Sequence, residues 1–524
     1  MLYNQLPPIR KKMQLPRKHF FETKKLLKSI PTEKVAKWLL EEGYFPEQYI
    51  VPPTFKVSKF DLKLTPFIEV DNSGANPKFD VKKSELINVS FPKTQLTDRT
   101  FGIIEPKIYH DIVWYLMNEW DLVTNHLFNS KNKIYSYSFP IPVTKKNEGE
   151  LGNLRAGRMI YEFLEMAEND LVAEAFNYKY ILKTDIKNFY PSIYTHSLAW
   201  AIHTKKVIKT SGNRNAYDRF LGLKLDKLIQ YANDGCTNGI PIGPAISDLI
   251  AEIILSAVDT ESSKEIDKLN IDFLAVRFKD DYRILCQSKE DANKIIRILQ
   301  KQLKDFNLAL NDDKSEVNEL PEGLFREWTA DYQQFSLRYK NKINYNRFEK
   351  SLRGTLKVDK QHKGTGVVDR FLSELSSNSF NLKLDFNEKN LMKAISLLLL
   401  LKERRYKSFP QILAIIEKII DKYSTNKSVM TKIEKAIENL FNDKMKNIEG
   451  NQYDLIWLIY FIKSNDLFSI KFPRKIKSPL IKSLKANRSE FFKPLPSGIK
   501  IFDTIKSKGS NKPMLEHLAI FNRE

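Results

Sequence analysis

The 524-residue sequence is poor in cysteine, with only Cys236 and Cys286. Neither cysteine lies at a spacing that metal sites use, and two cysteines do not make a disulfide framework. The apolar stretch at residues 394–401 lies between two lysines and is far too short for a transmembrane helix. The basic N-terminus lacks an apolar segment followed by a small-residue cleavage site. These absences argue against disulfide-rich secreted and membrane-spanning classes, and we expect a cytoplasmic protein.

The charge is strongly one-sided. Lysine and arginine total 85 against 64 acidic residues, which gives a formal net charge of +21 and a pI near 9.4. Such a surplus favours a polyanionic partner, because each neutralised phosphate releases counterions. A soluble lysine-rich protein without such a partner is the alternative that composition leaves open. The length and a hydrophobic content of 42% predict two or three folded domains.

Periodicity predicts three regions of different character: a mixed segment at 1–100, an α+β region at 101–340 and a helical region at 341–524. Helical patterns cover residues 32–43, 108–127 and 245–257, and a helix start like a capping box follows at Ser288. The last region shows four helical stretches, at residues 391–401, 410–423, 429–441 and 453–463. We expect this region to be all-α. It contains no Cys/His cluster or other nuclease signature.

The segment Phe278-Lys279-Asp280-Asp281 joins two β-prone runs, 273–276 and 282–285. It predicts a β-hairpin with adjacent carboxylates at its tip. Another carboxylate, Asp185, lies in a further β-prone run at 180–186. Carboxylates are ligands that Mg²⁺ prefers, and two ions about 3.5–4 Å apart could clamp the oxygens of a phosphoryl transfer. By itself, however, an aromatic-x-Asp-Asp string is more often a solvated turn.

The context of the hairpin is more specific. Asp-Ile-Lys-Asn-Phe-Tyr at 185–190, Gly-Ile-Pro-Ile-Gly at 239–243, the hairpin, and Leu-Asn-Asp-Asp-Lys at 310–314 follow one another in this order. They resemble motifs A, B, C and D of the reverse transcriptase palm, over roughly residues 130–325. The resemblance implies right-hand polymerase fingers and palm, with an antiparallel sheet backed by helices. It also implies a nucleotidyltransferase that uses dNTPs and two Mg²⁺ ions, with Mn²⁺ as an alternative.

The resemblance also implies individual roles. Asp185, Asp280 and Asp281 would hold the metal ions, together with Ile186 next to the first of them. Tyr190 would be the steric gate that collides with a ribose 2′-hydroxyl, and a core aromatic is the alternative. Lys314 would act as an acid toward pyrophosphate, and an exposed loop lysine is the alternative.

The remaining candidates are expected around the nucleotide: Gly239, Pro241, Ile242, Gly243, Arg155 and Arg158. The glycines let the backbone approach a base pair or sugar, although they also suit a tight turn before the next helix. Ile242 stands where the family often has glutamine. Lys279 replaces a small or apolar residue, and could hold a phosphate or reduce the negative charge of the metal site.

The motif A extension at 189–197 and the long helical tail are similar to those of bacterial abortive-infection (Abi) and related defence-associated reverse transcriptases. This resemblance implies a HEAT-like helical array, homo-oligomers and anti-phage defence. It also implies DNA synthesis that can be template-independent and primed by a protein tyrosine, for which Tyr3, Tyr44 and Tyr49 are available. The alternatives are a retroelement or retron enzyme that copies an RNA template, and a catalytically silent nucleic-acid-binding scaffold.

Overall fold

The computed structural model describes residues 14–74, 76–93, 97–143, 149–152, 156–506 and 513–518, and only the backbone at 91–92 and 156–164. The first group of elements is α1 (Leu15–Lys28), α2 (Thr32–Glu41), β1 (Lys59–Phe60), β2 (Ile87–Pro92), β3 (Asp98–Ile103), α3 (Pro106–Asn118) and α4 (Trp120–Leu127). Strands β2 and β3 pair antiparallel. The helix predicted at 32–43 is present as α2.

The helix predicted at 108–127 is two helices. The side chain of Glu105 accepts a hydrogen bond from the amide of Ile108 and so starts α3. Glu119, with φ −113° and ψ 28°, ends α3 and precedes α4. Both helices bury apolar residues, so the periodicity continues across the break and does not reveal it.

The central group of elements forms a five-stranded sheet with its helices. It contains β4 (Ile134–Ser136), α5 (Ala156–Glu174), β5 (Tyr180–Asp185), α6 (Phe189–Ser192), α7 (His196–His203), α8 (Lys205–Lys209), α9 (Leu221–Ala232), α10 (Ala245–Lys268), β6 (Phe273–Phe278), β7 (Asp281–Cys286), α11 (Lys289–Asp305) and β8 (Glu316–Glu319). The strand order is β4-β6-β7-β5-β8, and every pair is antiparallel except β4 with β6. The α+β architecture expected for this region is confirmed, but the sheet is not wholly antiparallel as expected, because β4 runs parallel to β6.

Helix α10 is the central helix of this group, and it is longer than the predicted stretch 245–257. Polar residues follow the apolar stripe, but several are buried and remain helical. The hydroxyls of Thr260 and Ser263 donate to the carbonyls one turn earlier, of Ser256 at 2.8 Å and Asp259 at 2.7 Å. Such bonds satisfy buried hydroxyls within a helix, which explains why the change in composition does not end α10.

The third group contains α12 (Glu327–Gln333), α13 (Tyr345–Gln361), α14 (Val367–Ser373), α15 (Glu388–Leu401), α16 (Phe409–Tyr423), α17 (Lys427–Met445), α18 (Gln452–Ser464), α19 (Pro479–Ala486), β9 (Ile499–Lys500) and α20 (Met514–His517). All four predicted helical stretches are present, as α15 to α18. The expectation that residues 341–524 are all-α is wrong at β9, which pairs antiparallel with β1. A two-residue strand has no alternation that a sequence pattern could reveal.

The first and third groups of elements are in contact. The Tyr453 hydroxyl donates to the carbonyl of Tyr49 at 2.6 Å, and the amide of Asp503 donates to the carbonyl of Thr54 at 2.8 Å. One buried apolar cluster contains residues from Phe20 to Leu518. Within the described residues, no helix has the length and hydropathy to cross a bilayer.

Candidate active site

Three carboxylates meet at one end of the central sheet. Strands β6 and β7 pair from Phe273–Cys286 to Phe278–Asp281. Lys279 and Asp280 form the turn between them, which confirms the predicted hairpin. Across the next ladder, Asp185 at the end of β5 lies directly opposite Asp281. The structure therefore brings Asp185 next to Asp280 and Asp281, which lie almost a hundred positions later in the sequence.

A buried charge network holds the hairpin turn from both sides. Lys279 has a φ of 52°, in the left-handed region. Its amide donates to Ser138 Oγ at 2.9 Å, and its carbonyl accepts from Arg277 Nη1 at 2.9 Å. Both the amide and the carbonyl of Lys279 are hydrogen-bonded to other residues of the protein. These bonds fix the direction of the backbone at Asp280.

Arg277 is the centre of this network. Its side chain is fully buried and donates to both oxygens of Glu252, at 2.8 and 3.0 Å, and to Asp259 at 2.8 Å. Burial alone would raise the pKa of Glu252, but Arg277, together with the hydrogen bonds from Ser138 and Ser136, outweighs it and the pKa is lowered. Burial raises the pKa of Asp259 to about 6 against the opposing effect of Arg277. The Arg277 network consists of Arg277, Glu252, Asp259, Ser138, Ser136 and Tyr282.

Sequence reasoning missed the Arg277 network, although two signals were present. Arg277 is a charged residue in the otherwise apolar strand β6. Glu252 and Asp259 are seven residues apart on α10, which puts them on one face of the helix.

The three carboxylates of the site repel one another. Loss of solvent and then the Asp280 and Asp185 charges raise the pKa of Asp281 to about 6. The pKa of Asp280 is also raised, first by burial and, among neighbouring charges, by Asp185. Lys314 contacts a carboxylate oxygen of Asp185. A divalent cation would relieve the same repulsion more fully.

The donor set suits a hard cation, since it consists of carboxylate oxygens with no sulfur or imidazole ligand. Among the described residues, however, no three acidic, histidine or cysteine side chains are grouped closely enough to hold a metal ion as they stand. Lys314 lies against Asp185 where an ion would bind. Metal binding through Oδ2 of Asp185, the oxygen that Lys314 contacts, would require Asp185 to exchange that contact for the ion.

The segment that carries Lys314 is fixed to β5 and the residues after it. The amide of Asn311 donates to the carbonyl of Asp185 at 2.7 Å, and Ile186 forms a bridge with Leu310. Ile186 buries its side chain in the core, and its amide donates to the carbonyl of Asp280 at 3.2 Å. Motifs A, C and D are thus joined through backbone bonds.

Tyr190 lies close to the carboxylates, and its hydroxyl is hydrogen-bonded to another side chain of the protein. It donates to Asp248 Oδ1, and Asp248 also accepts from Lys279 Nζ at 3.3 and 3.4 Å. Burial and then the Asp248 charge raise the pKa of the Tyr190 phenol well above its ordinary value, so the hydroxyl remains a donor. Asp248 was not among the sequence candidates. Its signal is an acidic residue within the buried start of α10.

The motif B loop lies against motif A. The amide of Gly239 donates to the carbonyl of Ile193 at 2.8 Å, and that of Ile240 to the carbonyl of Tyr190 at 3.1 Å. Gly239 has a φ of 82°, and a Cβ there would lie 3.3 Å from the carbonyl oxygen of Pro191. The tight contact that favours glycine at position 239 is therefore a contact with the protein backbone.

The second glycine of the loop approaches the N-terminal region. Gly243 has a φ of 118°, and a Cβ there would lie 2.8 Å from Pro46. Pro241 is buried, whereas Ile242 is half-buried and its carbonyl accepts from the amide of Gly102 at 3.0 Å. Backbone conformation and packing within the protein thus explain the glycine at both positions without a bound nucleotide.

Two candidates cannot be placed relative to the carboxylates. Arg155 lies outside the described residues, and Arg158 lies in α5 where only the backbone is described.

Residues 130–345 match the family model for reverse transcriptase (RNA-dependent DNA polymerase). The chain therefore contains a reverse transcriptase domain, and it is a nucleotidyltransferase. Reverse transcriptases generally use divalent metal ions, typically Mg²⁺. No curated protein matches the sequence.

Two similar solved structures are telomerases. The apo telomerase from Candida tropicalis is 13% identical, with 75% of this chain and 70% of that chain covered and a TM-score of 0.34. The telomerase from Candida albicans in complex with a TWJ fragment of telomeric RNA is 14% identical, with coverages of 71% and 63% and a TM-score of 0.27.

Proposed function

We propose that the protein is a DNA polymerase of the reverse transcriptase type that adds dNTPs by two-metal phosphoryl transfer. The observation that carries this proposal is the cross-strand pair of Asp185 and Asp281 with Asp280 in the adjoining turn. Bound Mg²⁺ would neutralise charge at the nucleotide phosphates and favour the attacking alkoxide. The three carboxylates would hold the ions, with Ile186 beside the first.

Other residues of the site would act on the nucleotide. Tyr190 would exclude a ribose 2′-hydroxyl, and the motif B loop from Gly239 to Gly243 would line the sugar and base. Lys314 would be released from Asp185 when the ions bind, which frees its ammonium to protonate pyrophosphate. Arg155 and Arg158 would bind the triphosphate.

The biological role that we propose is anti-phage defence, by an enzyme of the Abi type in the cytoplasm. The supporting features are the motif A extension at 189–197 and the succession of helices after residue 345. On this proposal the chain divides into an N-terminal extension (1–100), fingers and palm (101–340) and a HEAT-like helical domain (341–524). A homo-oligomer and template-independent synthesis belong to the same proposal.

Priming by a tyrosine of this protein is also proposed, and the structure bears on which one. Tyr44 is fully buried and its hydroxyl donates to the carbonyl of Ile104 at 2.6 Å. Tyr49 is also buried, and Tyr3 lies outside the described residues. Priming by Tyr44 or Tyr49 would require the hydroxyl to leave the core. Mass analysis of the purified protein for covalently attached nucleotides, followed by peptide mapping, would identify the primer.

Incubation of the purified protein with labelled dNTPs and Mg²⁺, with and without nucleic acid, tests the proposal. Incorporation without any template supports the defence-type polymerase. Strict dependence on an RNA template instead supports a retroelement or retron enzyme, which the RNA-dependent description of the family model also favours. A folded protein that binds nucleic acid without incorporation under any of these conditions would be a silent scaffold.

The Asp280→Asn variant tests the site assignment. Loss of a metal ligand should lower incorporation by at least about 100-fold, since changes even beyond the ligands reduce metal affinity or activity by 10–100-fold. The rate of dNTP incorporation and the thermal unfolding temperature should be measured together. Asp272→Asn, at the opposite end of the same hairpin, is the matched control and should retain activity. A well-folded Asp280→Asn protein with normal activity would reject the assignment.

A further inference from the structure

Tyr190, Asp248 and Lys279 come from three separate elements that line the candidate nucleotide site. Tyr190 lies in the short helix α6 after β5, Asp248 in the first turn of α10 after the motif B loop, and Lys279 in the hairpin turn next to Asp280. Their side chains meet: the Tyr190 hydroxyl and the Lys279 ammonium both contact Asp248 Oδ1. The ammonium also lies 5.9 Å from the centre of the Tyr190 ring.

These contacts restrict the Tyr190 ring. A phenol without a partner rotates about its side-chain torsions, whereas a hydroxyl bonded to a carboxylate is held by a charge-assisted hydrogen bond. Asp248 is largely buried, with 12% of its side chain exposed. A carboxylate in such a position requires a compensating charge, which Lys279 supplies. The backbone of Lys279 is in turn fixed by Ser138 and Arg277.

We propose that Asp248 is a specificity-determining positioning residue, which with Lys279 holds the Tyr190 ring where it excludes the 2′-hydroxyl of a ribonucleoside triphosphate. This inference rests on the proposed function, and it goes beyond the gate itself because it assigns sugar selection to two further residues. On this proposal the Lys279 ammonium pairs with a carboxylate of the protein itself, that of Asp248.

The test compares four proteins: wild type, Tyr190→Phe, Asp248→Ala and the double variant. Kinetic constants should be measured separately for a dNTP and for the rNTP of the same base. Tyr190→Phe keeps the ring and loses only the bond to Asp248. We expect each single variant to lower the dNTP-to-rNTP ratio of kcat/KM by about tenfold, mainly through a lower KM for the rNTP. The double variant should lose no more selectivity than the larger single change, because both remove the same contact.

Glu261→Gln is the matched control, since it removes an exposed carboxylate from the same helix α10. It should leave the ratio unchanged. Equilibrium binding of the dNTP and the rNTP, with Ca²⁺ in place of Mg²⁺ to prevent turnover, gives a readout that does not depend on activity. The ratio of the two dissociation constants should shift in the same direction.

The outcomes separate this inference from the proposed function. A wild-type protein that incorporates no dNTP rejects the proposed function. If the wild type selects dNTPs and Tyr190→Ala relaxes that selection, but Tyr190→Phe and Asp248→Ala keep the ratio, only the present inference fails. An equal loss of activity with both sugars would also reject it, because that result indicates a purely structural role. If Asp248→Ala does not fold, Tyr190→Phe decides the question.

Discussion

Arg277 shows how a single residue can connect the core to the site. It is fully buried, yet it bonds two carboxylates of α10 and the carbonyl of the hairpin turn. Removing one partner from a buried ionic network leaves the remaining charges uncompensated. The same residue therefore contributes to stability and to the position of Asp280.

We expect Arg277→Met to destabilise the protein by about 3–5 kcal/mol, because Glu252 and Asp259 would remain buried without their cation. Urea denaturation at pH 7.5 measures this change. Arg297→Met, at an exposed position of α11, is the control and should change stability by less than about 0.5 kcal/mol. A comparably small effect of Arg277→Met would contradict the proposed importance of the Arg277 network.

At the scale of elements, α13 has an unusually basic exposed face. Arg347, Lys350, Arg353, Lys357 and Lys360 are all exposed. Among the described residues, only one of these five cations has an ion pair, that of Arg353 with Glu349. If DNA or RNA leaves the sheet along this helix, these side chains would contact its phosphates.

We therefore expect the double variant Lys350→Gln and Lys357→Gln to weaken binding of single-stranded DNA. The slope of log K against log salt should decrease in magnitude by about 0.7 for each phosphate contact that is lost. Fluorescence anisotropy with a labelled oligonucleotide at several salt concentrations measures this slope. The pair Lys427→Gln and Lys435→Gln, exposed on α17, removes the same charge. An equal effect of the two pairs would show that only net charge matters.

At the scale of the whole molecule, a partly buried acid joins the last described helix to the helical region. Glu417 on α16 accepts a hydrogen bond from the amide of Met514 at the start of α20, at 2.8 Å. Burial raises the pKa of Glu417 to about 7, from an ordinary value of 4.5. Between these two values the folded protein binds a proton that the unfolded chain has released.

The contribution of Glu417 to stability is therefore complete below pH 4.5 and is lost as the pH rises through 7. We expect Glu417→Gln to become more stable relative to wild type by about 2 kcal/mol between pH 5 and pH 8. Denaturant unfolding of both proteins across this range measures the difference. Glu438→Gln, exposed on α17, should show a pH-independent difference from wild type. A constant difference for Glu417→Gln as well would refute the raised pKa.

Much of this molecule follows from local sequence patterns. The Asp-Asp hairpin, helix α2 and the helices α15 to α18 were predictable, because hydrophobic periodicity and turn residues act over only a few neighbouring positions. The order of the four motifs likewise indicated the reverse transcriptase domain. The break at Glu119 was not predictable because the apolar periodicity continues across it. The full length of α10 was hidden by polar residues whose hydroxyls bond within the helix. The strand β9 was not predictable because it depends on pairing with the distant β1.

What the sequence determined by itself was thus which residues carry charge and which local element each of them occupies. Only the tertiary structure decided that Asp185 lies opposite Asp281, that Arg277 bonds Glu252 and Asp259, and that Tyr190 reaches Asp248. The physical reason is that each of these contacts joins separate elements. Their positions depend on the packing of the whole sheet against α10, and local preference does not encode that packing.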